Sequence, residues 1–192
     1  MTEADAFDPM ALALEWLPSN DDPERPQITL STVAQDQWPD ARTVLLTAAG
    51  PEGFHFNTDA RSRKAAEIAA NPRVAITVLW PGFTRQLAIV GLAEVAPAEH
   101  IAAAYNGRSP YLQQLAWLNT AEFARLPLAE RESQWAAFEA AHVDGFAQPD
   151  DWTGYLVRPV RLTFWQSSPT TASQRTEYSL VDGSWQLQYL PG

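Results

Sequence analysis

Two rhythms of apolar and polar residues alternate along this chain, one with the period of a strand and one with that of a helix. The stretch FDPMALALEWL, residues 7–17, opens with Asp8 as an N-cap and Pro9 at the first helical position, which predicts a short helix. A polar, proline-containing loop, SNDDPERPQ, follows it. ITLSTVA (28–34) alternates as a strand does, and RTVLLTAA (42–49) is a second strand, β-branched and apolar. GPEG turns that strand back into FHFNT (54–58), making a hairpin. RSRKAAEIAANP (61–72) is a helix rich in alanine, stopped by Asn71-Pro72. RVAITVLW (73–80) and RQLAIVGLAEVA (85–96) are strands separated by Pro81-Gly82, and Gly91 inside the second predicts a bulge or a close backbone approach.

The middle of the chain takes the other rhythm. PAEHIAAAYN (97–106) and LPLAERESQWAAFEAAHV (126–143) predict helices, while residues 107–123 show no firm pattern. GYLVRPVRLTFW (154–165) returns to strand, with Pro159 marking an edge or a bulge. TEYSLVDGSWQLQYL (176–190) is a hairpin turning on Asp182-Gly183. Six or seven strands with helices inserted in the second half predict a mainly β fold, an antiparallel barrel with flanking α-helices. Residues 1–192 read as one domain, with 1–25 an N-terminal helix and loop and 149–192 the closing strands.

Composition narrows the function classes. Thirteen basic residues against 23 acidic ones give a net charge of −10. Broad binding to nucleic acid or to an anionic membrane is excluded, because both need an extended basic surface. A small anion in a local basic pocket is not. Without cysteine there are no disulfides, no thiolate chemistry and no sulfur-ligated zinc. MTEADAFDPM has no apolar leader region and no apolar run reaches membrane-span length, so a soluble cytoplasmic protein is expected.

Most familiar chemistry is missing. His55, His100 and His142 are far apart in sequence, without metal-ligand spacing, and ordinary surface or partly buried histidines account for them. There is no nucleophile elbow, Walker loop or dinucleotide fingerprint. The carboxylate pairs Asp21-Asp22 and Asp150-Asp151 lie in turn-like loops, where solvation explains them. The exception is RSRK, residues 61–64, the densest basic cluster in an acidic chain and the place of its only lysine. Cations at a helix N-terminus oppose the macrodipole. Arg61, Arg63 and Lys64 make more sense there if an anion joins them, bound by backbone N–H groups and completed by the side chains. Ser62 can cap the helix or donate to the same anion.

In order and spacing, ARTVLL, GFHFNTDARSRKAAEIAANPRVAI, LWPGFTRQLAIVGLAE and DDWTGYLVRPVRLTFWQ resemble the pyridoxamine 5′-phosphate oxidase family, from about residue 38 to the C-terminus. The resemblance implies a split β-barrel and a homodimer that binds FMN in clefts between its subunits. By position it implies that Arg42 and Thr43, Val44 and Leu45 border the flavin and its phosphate, with Asn57 and Thr58 beside them. Arg63 and Lys64, with Ser62, would grip the phosphate, and Gln86 would bond the isoalloxazine edge. Trp165 and Arg175 would reach flavin from the C-terminal part, from the other subunit. A phosphate dianion needs fixed cations, and a flavin ring needs apolar walls with a few directed donors.

The substrate positions depart from the resembled pattern. Family members that oxidise phosphorylated vitamers hold the substrate phosphate with a lysine, a tyrosine, an arginine and a serine. Here those positions are Thr47, Ala104, Arg108 and Leu112, so Arg108 alone is kept, with Thr47 as a possible substrate contact. A shift of one position would offer Tyr105 or Tyr111 instead. An Arg-x-His pair falls on Thr171 and Ser173, and a Gln-Ser pair on Ala121-Glu122. Three readings follow. One is an FMN-dependent oxidoreductase with an altered small-molecule substrate. Another is a pyridoxine/pyridoxamine 5′-phosphate oxidase with a rearranged site. The last is a non-catalytic flavin-binding protein. No catalytic side chain is identified, because the flavin would carry the chemistry.

Overall fold

A computed structural model describes residues 8–192; the reading of the first seven residues as part of a non-leader N-terminus lies outside them. Helix α1 (Pro9–Trp16) begins as expected, with Asp8 Oδ1 accepting from Met10 N at 2.9 Å and proline in the first turn. Strands β1 (Gln27–Val33), β2 (Pro39–Gly50) and β3 (Gly53–Asp59) form a meander. Helix α2 (Arg63–Ala70) follows, then β4 (Arg73–Leu79), a single 3₁₀ turn at Pro81–Phe83, and β5 (Arg85–Val95). Four helices come next: α3 (Ala98–Asn106), α4 (Pro110–Leu118), α5 (Ala121–Arg125) and α6 (Leu128–Ala141). The chain closes with β6 (Trp152–Gln166), β7 (Gln174–Val181) and β8 (Ser184–Pro191).

All eight strands form one antiparallel sheet in the order β3-β2-β1-β4-β5-β6-β7-β8, and β3 also pairs with β6. The first six therefore close into a barrel, and β7–β8 extend from it as a hairpin. That is one or two strands more than the alternation alone predicts. The 15 residues of β6 explain the shape: its N-terminal half pairs with β3 and its C-terminal half with β7, while β5 runs along most of its length. Phe54, Phe56, Leu30, Ile76, Leu87, Ile89, Val157 and Leu162 fill the barrel and are fully buried.

The unpatterned stretch at 107–123 is helical. Ser109 caps α4, with proline at its first position, and Thr120 caps α5. The pattern is hidden because α4 is partly covered on several sides rather than along one stripe. Asp182 and Gly183 both take positive φ, 51° and 80°, as a two-residue hairpin turn requires. At Gly91 the β5–β6 register shifts, with Gly91 opposite Pro159. A Cβ on Gly91 would lie 2.4 Å from the Arg158 carbonyl oxygen, so only glycine permits this approach.

One charged network sits in the interior. Alternation along β2 turns Arg42, with Val44 and Leu46, towards the inside, and there Arg42 meets α2. Its guanidinium lies 2.9 Å from Glu67 Oε2 and 2.8 Å from Asp40 Oδ2, and it donates to Thr32 Oγ1. Thr32 Oγ1 donates in turn to Glu67. Glu67 is 3% exposed, and among the described residues its other carboxylate oxygen, Oε1, makes no hydrogen bond; Arg63 Nε is 3.5 Å away. Removing one member of such a network strands the other charge. Glu67→Ala should therefore lower the unfolding free energy by about 3–5 kcal/mol. Glu67→Gln, which keeps a partner for Thr32, should lose less; denaturant titration of the three proteins compares them.

Candidate functional site

The RSRK segment stands where β3 ends and α2 begins. Ser62 is the N-cap of α2, its Oγ accepting from Ala65 N at 3.4 Å. Arg61 lies in the turn before the helix and is held by two acids, Asp59 Oδ2 at 2.9 Å and Asp151 Oδ2 at 3.1 Å. Arg63, largely exposed, pairs with Asp40 and reaches towards Glu67. Lys64 differs from both. Its Nζ donates to Thr58 Oγ1 at 3.0 Å, and among the described residues it forms no ion pair with a carboxylate. Burial holds its ammonium below the ordinary lysine value, and the nearby Arg42 adds to that, against weaker pulls from Asp59 and Glu67.

A cavity of about 650 Å³ opens at this helix end. Thr43, Val44 and Leu45 of β2, Asn57, Thr58 and Asp59 of β3, and Arg61 to Lys64 form one side; α4, α5 and Trp152 form the other. Of the residues the resemblance picks out, Thr43, Val44, Leu45, Thr47, Asn57, Thr58, Ser62, Arg63, Lys64 and Arg108 meet here. Arg42 does not: strand alternation turns it to Glu67. Gln86, Trp165 and Arg175 do not line it either. They form one row across β5, β6 and β7, in mutual register, and Trp165 Nε1 donates to Ser173 Oγ at 2.9 Å. Ala121 and Glu122 line the cavity from the first turn of α5.

A second cavity, about 1110 Å³, adjoins the first, and Leu45, Thr47, Asn57, Arg108 and Leu112 belong to both. Thr47 is the extra residue where the β2–β3 register shifts, and its hydroxyl donates to Asn57 Oδ1 at 2.8 Å. Asn57 Nδ2 donates to the Thr153 carbonyl at 3.3 Å. Arg108 lies over the Trp152 ring at 4.4 Å, and its Nε and Nη2 both donate to the Leu112 carbonyl, at 3.1 and 3.0 Å. Burial lowers its guanidinium from the ordinary arginine value, which leaves it charged. Neither nearby tyrosine replaces the missing hydroxyl. Tyr105 is 1% exposed and donates to the Ala147 carbonyl at 2.8 Å; Tyr111 turns outward and packs on Trp135.

The sequence alone does not indicate the helical wall of Leu115, Ala116, Asn119 and Thr120, because nothing patterned marks that segment. It also gives no sign that His55 and His100 stand together on the larger cavity, since their spacing is unremarkable. Among the described residues no group of His, Asp and Glu could hold a metal ion, and no helix is long and apolar enough to cross a membrane.

The comparisons with known proteins agree on one family. Residues 22–144 match the model of "Pyridoxamine 5′-phosphate oxidase", and residues 152–191 match that of "Pyridoxine 5′-phosphate oxidase C-terminal dimerisation region". A pyridoxine/pyridoxamine 5′-phosphate oxidase of Salinibacter ruber is 33% identical over 190 residues, covering 95% of this chain and 88% of that one. The protein of that name from Thermosynechococcus vestitus is 34% identical, covering 97% and 90%. Among solved structures, PhzG from Burkholderia lata 383, in complex with tetrahydrophenazine-1-carboxylic acid, superposes with a TM-score of 0.83. It is 19% identical and the match covers 99% of this chain and 95% of that one. A pyridoxamine 5′-phosphate oxidase-related, FMN binding protein from Nostoc punctiforme superposes with a TM-score of 0.73, at 19% identity and full coverage of both chains. The barrel, the order of its strands and the matched residues thus place this chain in the pyridoxamine 5′-phosphate oxidase family.

Proposed function

We propose that this protein is an FMN-dependent oxidoreductase, a homodimer with flavin at the subunit interface, whose small-molecule substrate is not held by its phosphate. The observation that carries the flavin reading is Lys64, a desolvated ammonium without a carboxylate partner at the N-terminus of an eight-residue helix. A phosphate there would relieve its lost hydration and meet the unpaired N–H groups of the first turn. The residues present therefore fit the group. Bound there, FMN would supply two-electron chemistry, taking a hydride equivalent from an organic substrate and passing the electrons to an acceptor.

The chain's own residues do the rest. Lys64, Arg63 and Ser62 hold the phosphate, with Arg63 exchanging Asp40 for it. Thr43, Val44 and Leu45 provide the strand edge beside the ring, with Asn57 kept in orientation by Thr47 and the Thr153 carbonyl. Arg42 supports from behind by anchoring Glu67 and hence α2. The row Gln86, Trp165 and Arg175 completes the partner subunit's cavity, a role that its distance from this chain's own cavity supports, as does the match to a dimerisation region.

The altered substrate is supported by what surrounds the larger cavity. Thr47, Ala104 and Leu112 offer no cation, and Arg108 already gives two donors to a backbone carbonyl. Each lost charge-assisted hydrogen bond weakens binding by about 1.5–3 kcal/mol, or at least about tenfold. A second reading, a pyridoxine/pyridoxamine 5′-phosphate oxidase with a rearranged site, is favoured by the names of the curated relatives and by Arg108 itself.

The flavin reading is tested by titrating FMN into the protein and following its absorption and fluorescence. Replacing Arg63 and Lys64 together by methionine should raise the dissociation constant about 100-fold or more; an unchanged constant would sink the assignment. Lys64 also predicts a pH dependence. Its pKa is depressed without the phosphate and restored with it, so affinity should fall as alkaline pH deprotonates the free protein, beginning below the ordinary value of 10.5. Pyridoxal phosphate formation by FMN-loaded protein separates the two readings. The first expects a rate too low to sustain turnover, whereas efficient oxidation would establish the second. Tight FMN binding without reduction by any of a broad substrate panel would point to a flavin carrier.

A further inference from the structure

The larger cavity contains a pair of groups with no task in the reading above. His55 on β3 and His100 on α3 stack with ring centroids 4.9 Å apart and planes inclined by 28°. Both line the cavity. His55 is 5% exposed, and its ring has one hydrogen-bond partner among the described residues, a long 3.5 Å contact from Nε2 to Glu52 Oε1. Two imidazoles this close repel each other when both are charged, so His100 disfavours the charged form of His55. Burial acts the same way and holds His55 below the ordinary imidazole value, with Glu52 pulling it up and His100 pushing it down.

The charges facing the pair come from every side of the chamber. Carboxylates are supplied by Asp21 and Asp22 before β1 and by Glu99 on α3, with Glu52 behind His55. Against them stand Arg25, which donates to the Ser19 carbonyl at 3.3 Å, and Arg108, committed to the Leu112 carbonyl. Arg158, whose charge also reaches His55, is paired with Glu94 at 2.7 Å. On the wall, Asp21, Asp22 and Glu99 outnumber Arg25 and Arg108, and among the described residues these carboxylates form no ion pair with an arginine, so a small excess of negative charge disfavours a phosphate dianion and favours a cation.

We propose that this chamber receives an organic amine lacking a phosphate group, and that the stacked His55–His100 pair is its specificity-determining contact, with His55 accepting a hydrogen bond from the substrate's N–H. The inference rests on the flavoprotein reading for its meaning as a substrate site, but not for its test. A neutral imidazole nitrogen accepts from an ammonium; a protonated one repels it. The stack fixes the ring planes, and burial of His55 keeps it neutral at physiological pH.

The experiment compares pyridoxamine with pyridoxamine 5′-phosphate, which carry the same amine and differ by the phosphate. Binding of each to the full chain is measured by calorimetry, with and without FMN. Pyridoxamine should bind at least tenfold more tightly at pH 7.5, and its affinity should fall severalfold as the pH is lowered from 7.5 to 4.5 and His55 protonates. His55→Gln should weaken binding and remove most of that fall, which a merely structural change would leave in place. Should that variant fail to fold, His100→Gln on the exposed helix face, together with imidazole NMR shifts of the unaltered protein on adding pyridoxamine, serves instead. Tighter binding of the phosphorylated amine, no binding of either, or an unchanged pH dependence in the variant overturns the proposal. FMN uptake by the same sample keeps the two readings apart: a protein that takes FMN but not pyridoxamine refutes this inference alone, and one that binds pyridoxamine but not FMN refutes the flavin assignment alone.

Discussion

The β3–β6 ladder is the contact on which the rest of the molecule depends. Six residue pairs, from Phe54–Val157 to Asp59–Trp152, close the barrel between segments nearly a hundred residues apart. Their inward members, Phe54, Phe56 and Val157, join the core, so closure is driven by burial as well as by backbone hydrogen bonds. Their outward members make the site: His55, Asn57 and Asp59 form one row along β3, and Trp152 faces them across the ladder's end. Helix α2 starts after only three intervening residues, so its basic N-terminal end is aimed by the same ladder.

Electrostatics then separates the two cavities. The protein is strongly acidic, and most of its arginines near the site are bound to carboxylates: Arg61 to Asp59 and Asp151, Arg63 to Asp40, Arg42 to Glu67. Among the described residues, such pairing leaves Lys64 and Arg108 as the cations of the smaller cavity without a carboxylate partner. Beyond the shared wall the lining changes, with Asp21, Asp22, Glu99 and the stacked His55 and His100 around the larger cavity. One chain thus offers adjoining chambers with different charged linings.

Much of this was legible in the residues. Period-two runs marked the strands, Asp182-Gly183 marked a hairpin turn, and Ser62 and Asn71-Pro72 marked the two ends of α2. What stayed hidden depended on distance in space. Alternation along ARTVLL could have shown that Arg42 lies on the inward face with Val44 and Leu46, but the charge of an arginine argues for an outward one until Glu67 is seen beneath it. The segment 107–123 lacked a periodic stripe because its helices are covered unevenly. His55 and His100 became a pair only when β3 and α3 were brought together, and no spacing rule reaches across that fold.

Val160 has a consequence for the way β6 serves two neighbourhoods. Arg161 pairs with Val90 and Pro159 with Gly91, so Val160 is the residue left over in the ladder. Before it the odd-numbered Tyr155 and Val157 point into the core; after it the even-numbered Leu162 and Phe164 do. The leftover residue therefore works as a half-step, putting Trp152 and Trp165 on the outer surface at opposite ends of one strand although they differ in parity. Without it, the indole at the far end would turn towards the barrel's centre, and the C-terminal hairpin would present its other side to whatever it meets.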